Sequence, residues 1–249
     1  MNLSHPFDMT GKVALVTGGS RGLGLQMVRA FATHGADCII ASRKLDACEA
    51  AAQEVRALGR RALAVACNAG RWADVDALID VAYATFGRVD ILVNNAGLSP
   101  LAPSSHETEE ALFDKVLALN FKGPFRLAAR VAARMKAAGG GCIINVSSTA
   151  ALHPVVNAVP YAGAKAALNA MTACFAAEYG PEVRVNALVP GPFLTDISKA
   201  WPASMRESFD NALGRPGRPE EIVTAALYLA SPASSFTTGS LVRCDGGIG

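Results

Sequence analysis

The strongest constraint on this chain is a unit that repeats: a short apolar run rich in β-branched residues, then a helical stretch. Lys12 to Thr17 (KVALVT), Cys38 to Ala41, Ala62 to Cys67 and Val89 to Val93 read as strands. Helical patterns follow the first three, on Leu25, Val28 and Ala32, over residues 45–58 and over residues 73–86. Strand–helix alternation implies a parallel sheet, whose right-handed crossovers put helices on both faces. The pattern continues. Residues 107–119 and 122–138 read as two helices with Asn120 near their junction, and Cys142 to Val146 as a fifth strand. A helix runs from Tyr161 to about Glu178, a sixth strand from Arg184 to Val189, a last helix starts at Pro219, and Leu241 to Arg243 is a seventh strand. The expectation is a doubly wound α/β fold with a seven-stranded parallel sheet. No linker, low-complexity tract or internal repeat divides the 249 residues, so a single domain over 1–249 is expected. Ligands of such sheets bind outside the carboxyl ends of the strands, where loops 18–24, 42–44, 67–69 and 94–99 converge.

The first strand enters a glycine cluster, Gly18-Gly19-Ser20-Arg21-Gly22-Leu23-Gly24, before its helix begins. Glycines let a backbone approach a pyrophosphate, and a helix N-terminus offers unpaired N–H groups and partial positive charge. Strand, glycine turn and helix form the setting that a dinucleotide fingerprint needs, although the pattern is T-G-x-x-x-G-x-G rather than G-x-G-x-x-G. About 20 residues further on, a carboxylate would bond a ribose 2′-hydroxyl; this chain has Ser42 and Arg43 there. Arg43, with Arg21, fits a 2′-phosphate through charge-assisted hydrogen bonds, whereas the plainer alternative leaves both arginines solvated. The phosphate reading implies NADP(H) in preference to NAD(H).

Tyr161 and Lys165 stand four apart on an alanine-rich helix, which puts them on one face, roughly 5–6 Å apart at Cβ. A free tyrosine has a pKa near 10, and a neighbouring ammonium would stabilise its phenolate. Tyr and Lys also meet at this spacing as a packed ring under a surface lysine, so the pair takes its meaning from its surroundings. Ser147 and Ser148 arrive at the same sheet edge from the fifth strand. A serine–histidine hydrolase fits poorly: His153 has no obvious acid partner, and no G-x-S-x-G elbow is present. After the sixth strand, Pro190-Gly191-Pro192 leads into a looser stretch carrying Phe193, Leu194, Ile197, Trp201 and Met205. It fits a packed helical hairpin and a lid over an apolar substrate, around 192–214, equally well. Lys122, Arg126, Arg130 and Arg134 form a basic row at i, i+4 spacing, expected to be solvated or to pair with acids such as Glu109, Glu110 and Asp114 rather than to bind an anionic surface.

Composition narrows the partners. A net charge of +2 gives no general attraction to nucleic acid or membranes. No apolar run approaches the ~18 residues of a membrane span, and Met1 to Thr10 lacks the basic and apolar parts of a signal peptide. The six cysteines (Cys38, Cys48, Cys67, Cys142, Cys174, Cys244) include no C-x-x-C pair. They suit reduced thiols in a cytoplasmic protein better than disulfides or a zinc site, and no metal is expected.

These motifs in this order resemble the short-chain dehydrogenase/reductase family, in its single-domain branch, over essentially the whole chain. The likeness rests on T-G-G-S-R-G-L-G at 17–24, N-N-A-G at 94–97, L-N at 119–120, Ser148, Y-x-x-x-K at 161–165, P-G at 190–191 and the terminal D-G-G. It implies a Rossmann-type fold and a catalytic group of Asn120, Ser148, Tyr161 and Lys165. Tyr161 would be general acid as hydride arrives from the nicotinamide; Lys165 would stabilise its phenolate and bind the nicotinamide ribose. Ser148, placed 13 residues before Tyr161 as is usual in the family, would hold the substrate oxygen, and Asn120 a water linking Lys165 to solvent. Cofactor contacts are implied for Gly18, Ser20, Arg21, Gly22, Leu23, Gly24, Ser42, Arg43, Asn68, Asn94, Ala96, Gly97, Tyr161, Lys165, Pro190, Gly191 and Thr195, with Val189 near the nicotinamide amide. Asn68 departs from the aspartate that many relatives use against the adenine: it keeps a hydrogen-bonding side chain without the charge. The resemblance further implies a carbonyl or secondary-alcohol substrate, as in 3-oxoacyl-carrier-protein reductases and sugar-alcohol dehydrogenases, and a homotetramer or homodimer. The alternative is a catalytically idle NADP(H)-binding or scaffold protein on the same fold.

Overall fold

Val13–Thr17 (β1) is buried at all five positions, as a strand covered on both faces must be. The computed structural model describes residues 5–153 and 155–249, with the side chains of Ile197 and Ala200 outside the description. The apolar contribution expected of Ile197, and residues 1–4 of the amino-terminal stretch, thus lie outside the described residues. The glycine turn after β1 leads to Gly22–Thr33 (α1), followed by Asp37–Ser42 (β2), Leu45–Ala57 (α2), Ala62–Ala66 (β3), Trp72–Phe86 (α3) and Ile91–Asn94 (β4). Glu110–Leu117 (α4), Gly123–Ala137 (α5), Gly141–Val146 (β5), Val159–Tyr179 (α6), Val183–Pro190 (β6), Ala203–Glu207 (α7), Val223–Ala230 (α8) and Leu241–Cys244 (β7) complete the order. Among the described residues no helix is long and apolar enough to cross a membrane.

The strands form one seven-stranded sheet in the order β3-β2-β1-β4-β5-β6-β7, every pairing parallel. Alternation along each strand splits the core into two layers. Ala14, Val16, Cys38, Ile40 and Ile144 face α1, α2 and α8, whereas Leu15, Ile39, Leu92 and Ile143 face α3, α5 and α6. The order reverses between β1 and β4. The carboxyl ends of the strands therefore open a crevice at this switch point, with the glycine turn on one side and Ser148 on the other.

Three local expectations need correction. The two helices expected around Asn120 are one rod: α4 passes into α5 through a single wide π-turn, Ala118–Lys122. Gly123 lets the rod pass against the loop after β3, since a Cβ there would stand 1.7 Å from the Ala69 carbonyl oxygen. Continuity also changes the partners of the basic row. Glu109, Glu110 and Asp114 lie further back along the same rod, and the arginines instead face acids of α3. Arg126 and Arg130 bond Asp76 at 2.9 and 2.7 Å, Arg134 reaches Asp80 at 3.5 Å, and Arg126 and Arg134 also lie over Trp72 and Tyr83. Finally, Phe193, which the sequence leaves open between a packed hairpin and a lid over substrate, is buried in the core and so is not available to a lid; a Cβ at Gly217 would be 2.7 Å from its ring.

The segment after β6 is anchored at both ends. A bridge joins Phe193 to Gly217. The D-G-G motif holds the far end: Ala212 and Leu213 N–H donate to Gly247 and Gly246 carbonyls, and the Asn211 amide donates to the Asp245 carbonyl. Between these anchors lie a one-turn helix, Asp196–Ala200, and α7.

Candidate active site

The glycine turn is shaped by what packs beneath it. Gly18 has φ +64, a left-handed conformation, and a Cβ there would meet the Asn95 amide at 2.7 Å. That amide donates to the Thr17 and Gly18 carbonyls at 2.9 and 3.1 Å. The Thr17 hydroxyl in turn accepts from the N–H groups of Asn95 and Ala96. The end of β4 is thus stitched to the turn. Leu23 packs on the core, which leaves its main chain for the crevice. At the turn's exit, α1 starts without a side-chain cap and without an acid in its first turn. Unpaired N–H groups there suit a pyrophosphate, and the first turn brings no carboxylate of its own.

Of the N-N-A-G pair, the two asparagines point opposite ways. Asn94 is buried, with its amide on the Asn145 side-chain oxygen at 2.9 Å, and Asn145 continues to Thr172 on α6. Its side chain braces the sheet interior and only its main chain is left for the crevice. Asn95, absent from the expected contacts, is the one that supports the glycine turn. The repeated asparagine was the signal, but a strand's last side chain can go to either face, and only the end of β4 at Asn94 decides it.

At the β2 end the Ser20 hydroxyl donates to that of Ser42 at 2.9 Å. Arg43 is exposed and has no ion-pair partner among the described residues. Arg21 turns the other way, to Asp196 at 3.2 Å. Asn68 accepts from the Gly70 N–H at 3.1 Å, which rigidifies the turn after β3. Opposite, Gly191 N–H bonds the Cys244 carbonyl, and a Cβ at Gly191 would stand 2.7 Å from Asp245, so the P-G pair is also fixed by packing on β7. Thr195 comes within 3.7 Å of where a Cβ on Gly22 would be.

Tyr161 and Lys165 from α6, Ser148 from the end of β5 and Asn120 from the π-turn gather at the mouth of the crevice. Lys165 is buried and donates to the Val146 carbonyl at 2.7 Å; burial pushes its ammonium down to about 8. Its Nζ lies 5.8 Å from the Tyr161 ring centre and would be 3.6 Å from a Cβ on Gly97. Burial raises the Tyr161 phenol above its ordinary value, and the Ser148 hydroxyl beside it pulls the other way. The Lys165 ammonium is turned onto the Val146 carbonyl rather than onto the phenol oxygen. Ser148 is half-buried and caps the short helix Thr149–Ala151, accepting from Ala150 N–H at 3.2 Å. Ser147 is buried against the Lys165 carbonyl. Asn120 is fully buried in the π-turn. Both its amide hydrogens are used, on Leu98 and Val116 carbonyls, and its oxygen accepts from Leu98 N–H at 3.3 Å. Its side chain fixes the loop over Lys165, leaving its main chain alone for any water.

A glycine turn under an uncapped helix, with a phenol and an ammonium across the switch point, defines an α/β oxidoreductase of the dinucleotide-binding class. The chain belongs to the short chain dehydrogenase family, whose model matches residues 12–206. It is 36% identical over 251 residues to a D-threitol dehydrogenase of Mycolicibacterium smegmatis, covering 99% of this chain and 96% of that one. A solved 7α-hydroxysteroid dehydrogenase, complexed with NADH and 7-oxo glycochenodeoxycholic acid, superposes with a TM-score of 0.93 at 34% identity, over 99% of this chain and 98% of that one. The NADPH-dependent 3-quinuclidinone reductase of Rhodotorula rubra gives 0.92 at 29% identity, over 98% and 93%. The protein is thus an oxidoreductase of a family that binds a nicotinamide cofactor.

Proposed function

We propose that the protein is an NADP(H)-dependent carbonyl reductase or secondary-alcohol dehydrogenase with Tyr161 as its general acid and base. The observation that carries this reading is the convergence of Tyr161, Ser148 and the buried Lys165 at the strand ends, across the switch point from the glycine turn. Gly18 to Gly24 would hold the pyrophosphate on the N-terminus of α1, and Pro190, Gly191 and Thr195 would flank the nicotinamide, which supplies the hydride when bound. Tyr161 carries the proton at Oη, and its raised pKa keeps it there until the carbonyl oxygen gains charge. Ser148 Oγ orients that oxygen, and Lys165 places positive charge beneath the site. The apolar 149–160 loop, with Leu152, Val155, Val156 and Val159 all exposed, supports an apolar ketone or alcohol over a keto-sugar. The α4–α5 rod leaves Phe113 and Phe125 exposed, which supports self-association through that face.

Oxidation of NADPH against a panel of ketones, 3-oxoacyl thioesters and keto-sugars tests the activity. Turnover of apolar ketones is expected; tight NADPH binding with no turnover of any of them would show an idle cofactor-binding protein instead.

Relatives named with NADH and with NADPH stand equally near in fold, so preference rests on this chain's own residues. Ser20, Ser42 and Arg43 gather hydroxyls and a guanidinium without an ion-pair partner among the described residues at the β2 end, and the strand ends on Ser42 rather than on a carboxylate. We expect Arg43→Ala to weaken NADPH about tenfold while leaving NADH within twofold, as read by fluorescence titration; a charge-assisted bond of roughly 1.5–3 kcal/mol sets that scale. Equal losses for both cofactors would refute the assignment.

A further inference from the structure

We propose that Asp196 is a cofactor-selecting residue: it holds Arg21 on the 192–207 segment until a cofactor bearing a 2′-phosphate competes for the same guanidinium. The proposal rests on the NADP(H) reading above and adds a residue to it. Arg21 belongs to the glycine turn, 175 positions from Asp196 in sequence, and the pair closes at 3.2 Å. Asp196 also takes Lys199 at 2.5 Å, so a carboxylate already stands where Arg21 points. The sheet order sets the two claimants on opposite sides of β1. Ser42 ends β2 and Arg43 follows it, on one side, and Asp196 follows β6, on the other. Arg21 cannot serve both without drawing a carboxylate and a phosphate together, and like charges oppose that. Arg43 has no such rival among the described residues.

The pair is exposed, with side chains 68% and 41% accessible, so it is a weak latch that a phosphate can displace. Such a competition is reciprocal. A ligand that takes Arg21 releases the start of the segment, and a segment held by Arg21 raises the cost of binding that ligand. A cofactor without the 2′-phosphate leaves the latch shut. Discrimination between the two cofactors then depends on the residue after Thr195 as well as on the residues at the β2 end.

The test uses adenosine 2′,5′-bisphosphate against adenosine 5′-diphosphate, titrated calorimetrically into the whole chain. Asp196→Asn should bind the 2′,5′-bisphosphate about two- to fivefold more tightly, the range open to an exposed ion pair, with the 5′-diphosphate unchanged. Asp196→Ser should do the same if the charge is what matters. Added to Arg21→Ala, neither substitution should have any effect. An unchanged ratio in Asp196→Asn, or a gain that persists without Arg21, overturns the latch. Arg43→Ala separates the two readings. A wild-type preference for the 2′,5′-bisphosphate that Arg43→Ala abolishes but Asp196→Asn leaves untouched sinks the latch and keeps the phosphate site. No wild-type preference at all sinks the phosphate site itself.

Discussion

Tyr161→Phe is expected to lower kcat for carbonyl reduction about 10²–10⁴-fold, the usual worth of a positioned general acid, while cofactor affinity stays within about twofold. The reason is local. Among the described residues at the crevice mouth no other side chain suits the transfer: Ser148 is an alcohol far less acidic than a phenol and is set to hold the substrate oxygen, and Lys165 Nζ is held on Val146. Phenylalanine keeps the ring and loses only Oη. Steady-state kinetics with NADPH titration in parallel would decide it; a rate near wild type would end the role assigned to Tyr161. The pH dependence carries a sign. Lys165, pushed down to about 8 by burial, is charged below that pH and neutral above it. Carbonyl reduction needs a protonated phenol over a positive charge, so kcat/KM should fall as pH rises through about 8. Lys165→Met should lack that limb. A profile with the same limb in both would assign it to another group.

Gly24→Ala should weaken either nicotinamide cofactor at least tenfold and cost about 1–3 kcal/mol of stability, the range for overpacking a tight site. A Cβ at Gly24 would stand 2.3 Å from the Gly18 carbonyl oxygen and 2.5 Å from the Asn95 amide. Neither neighbour can retreat cheaply. Gly18 N–H is bound to the Ala41 carbonyl at 2.7 Å, and the Asn95 amide to Thr17. The first turn of α1 must move instead, and with it the N–H groups proposed to meet the pyrophosphate. Gly163→Ala is the control, since a Cβ there meets nothing within 4 Å and alanine favours the helix by up to about 1 kcal/mol. Denaturant unfolding and cofactor titration of both variants would check it; wild-type affinity in Gly24→Ala would contradict the packing argument.

What could be read in the sequence was whatever is set by local period. Strands, helices and the side of the sheet on which the loops gather follow from alternation, and Tyr161 with Lys165 from helical spacing. Contacts between distant segments were not readable. Glu109, Glu110 and Asp114 were the partners expected for the basic row, and Asp76 and Asp80 take that place, because sequence gives no sign that α4 and α5 are one rod. The choice between Asn94 and Asn95 hung on where β4 ends. The hydrogen bond from Lys165 to Val146 needed the depth of α6 against β5. Arg21 was placed near a phosphate from its turn alone, while its partner Asp196 lies beyond β6.

The wide turn at Ala118–Lys122 has a consequence for how the rod could change over time. One residue adds about 100° of rotation to a helix. An extra residue held in a single turn therefore shifts the phase of α5 against α4 without bending the chain away. The amino-terminal half of the rod can keep Val116 and Asn120 toward the crevice while the other half keeps Arg126 and Arg130 in register with Asp76. Deleting one residue here would turn the whole arginine stripe off α3, whereas a point change at Asn120 would disturb the loop above Lys165 and the turn's own bond to Val116. The turn thus sets the phase of two surfaces that face different partners, the crevice on one side and the acids of α3 on the other.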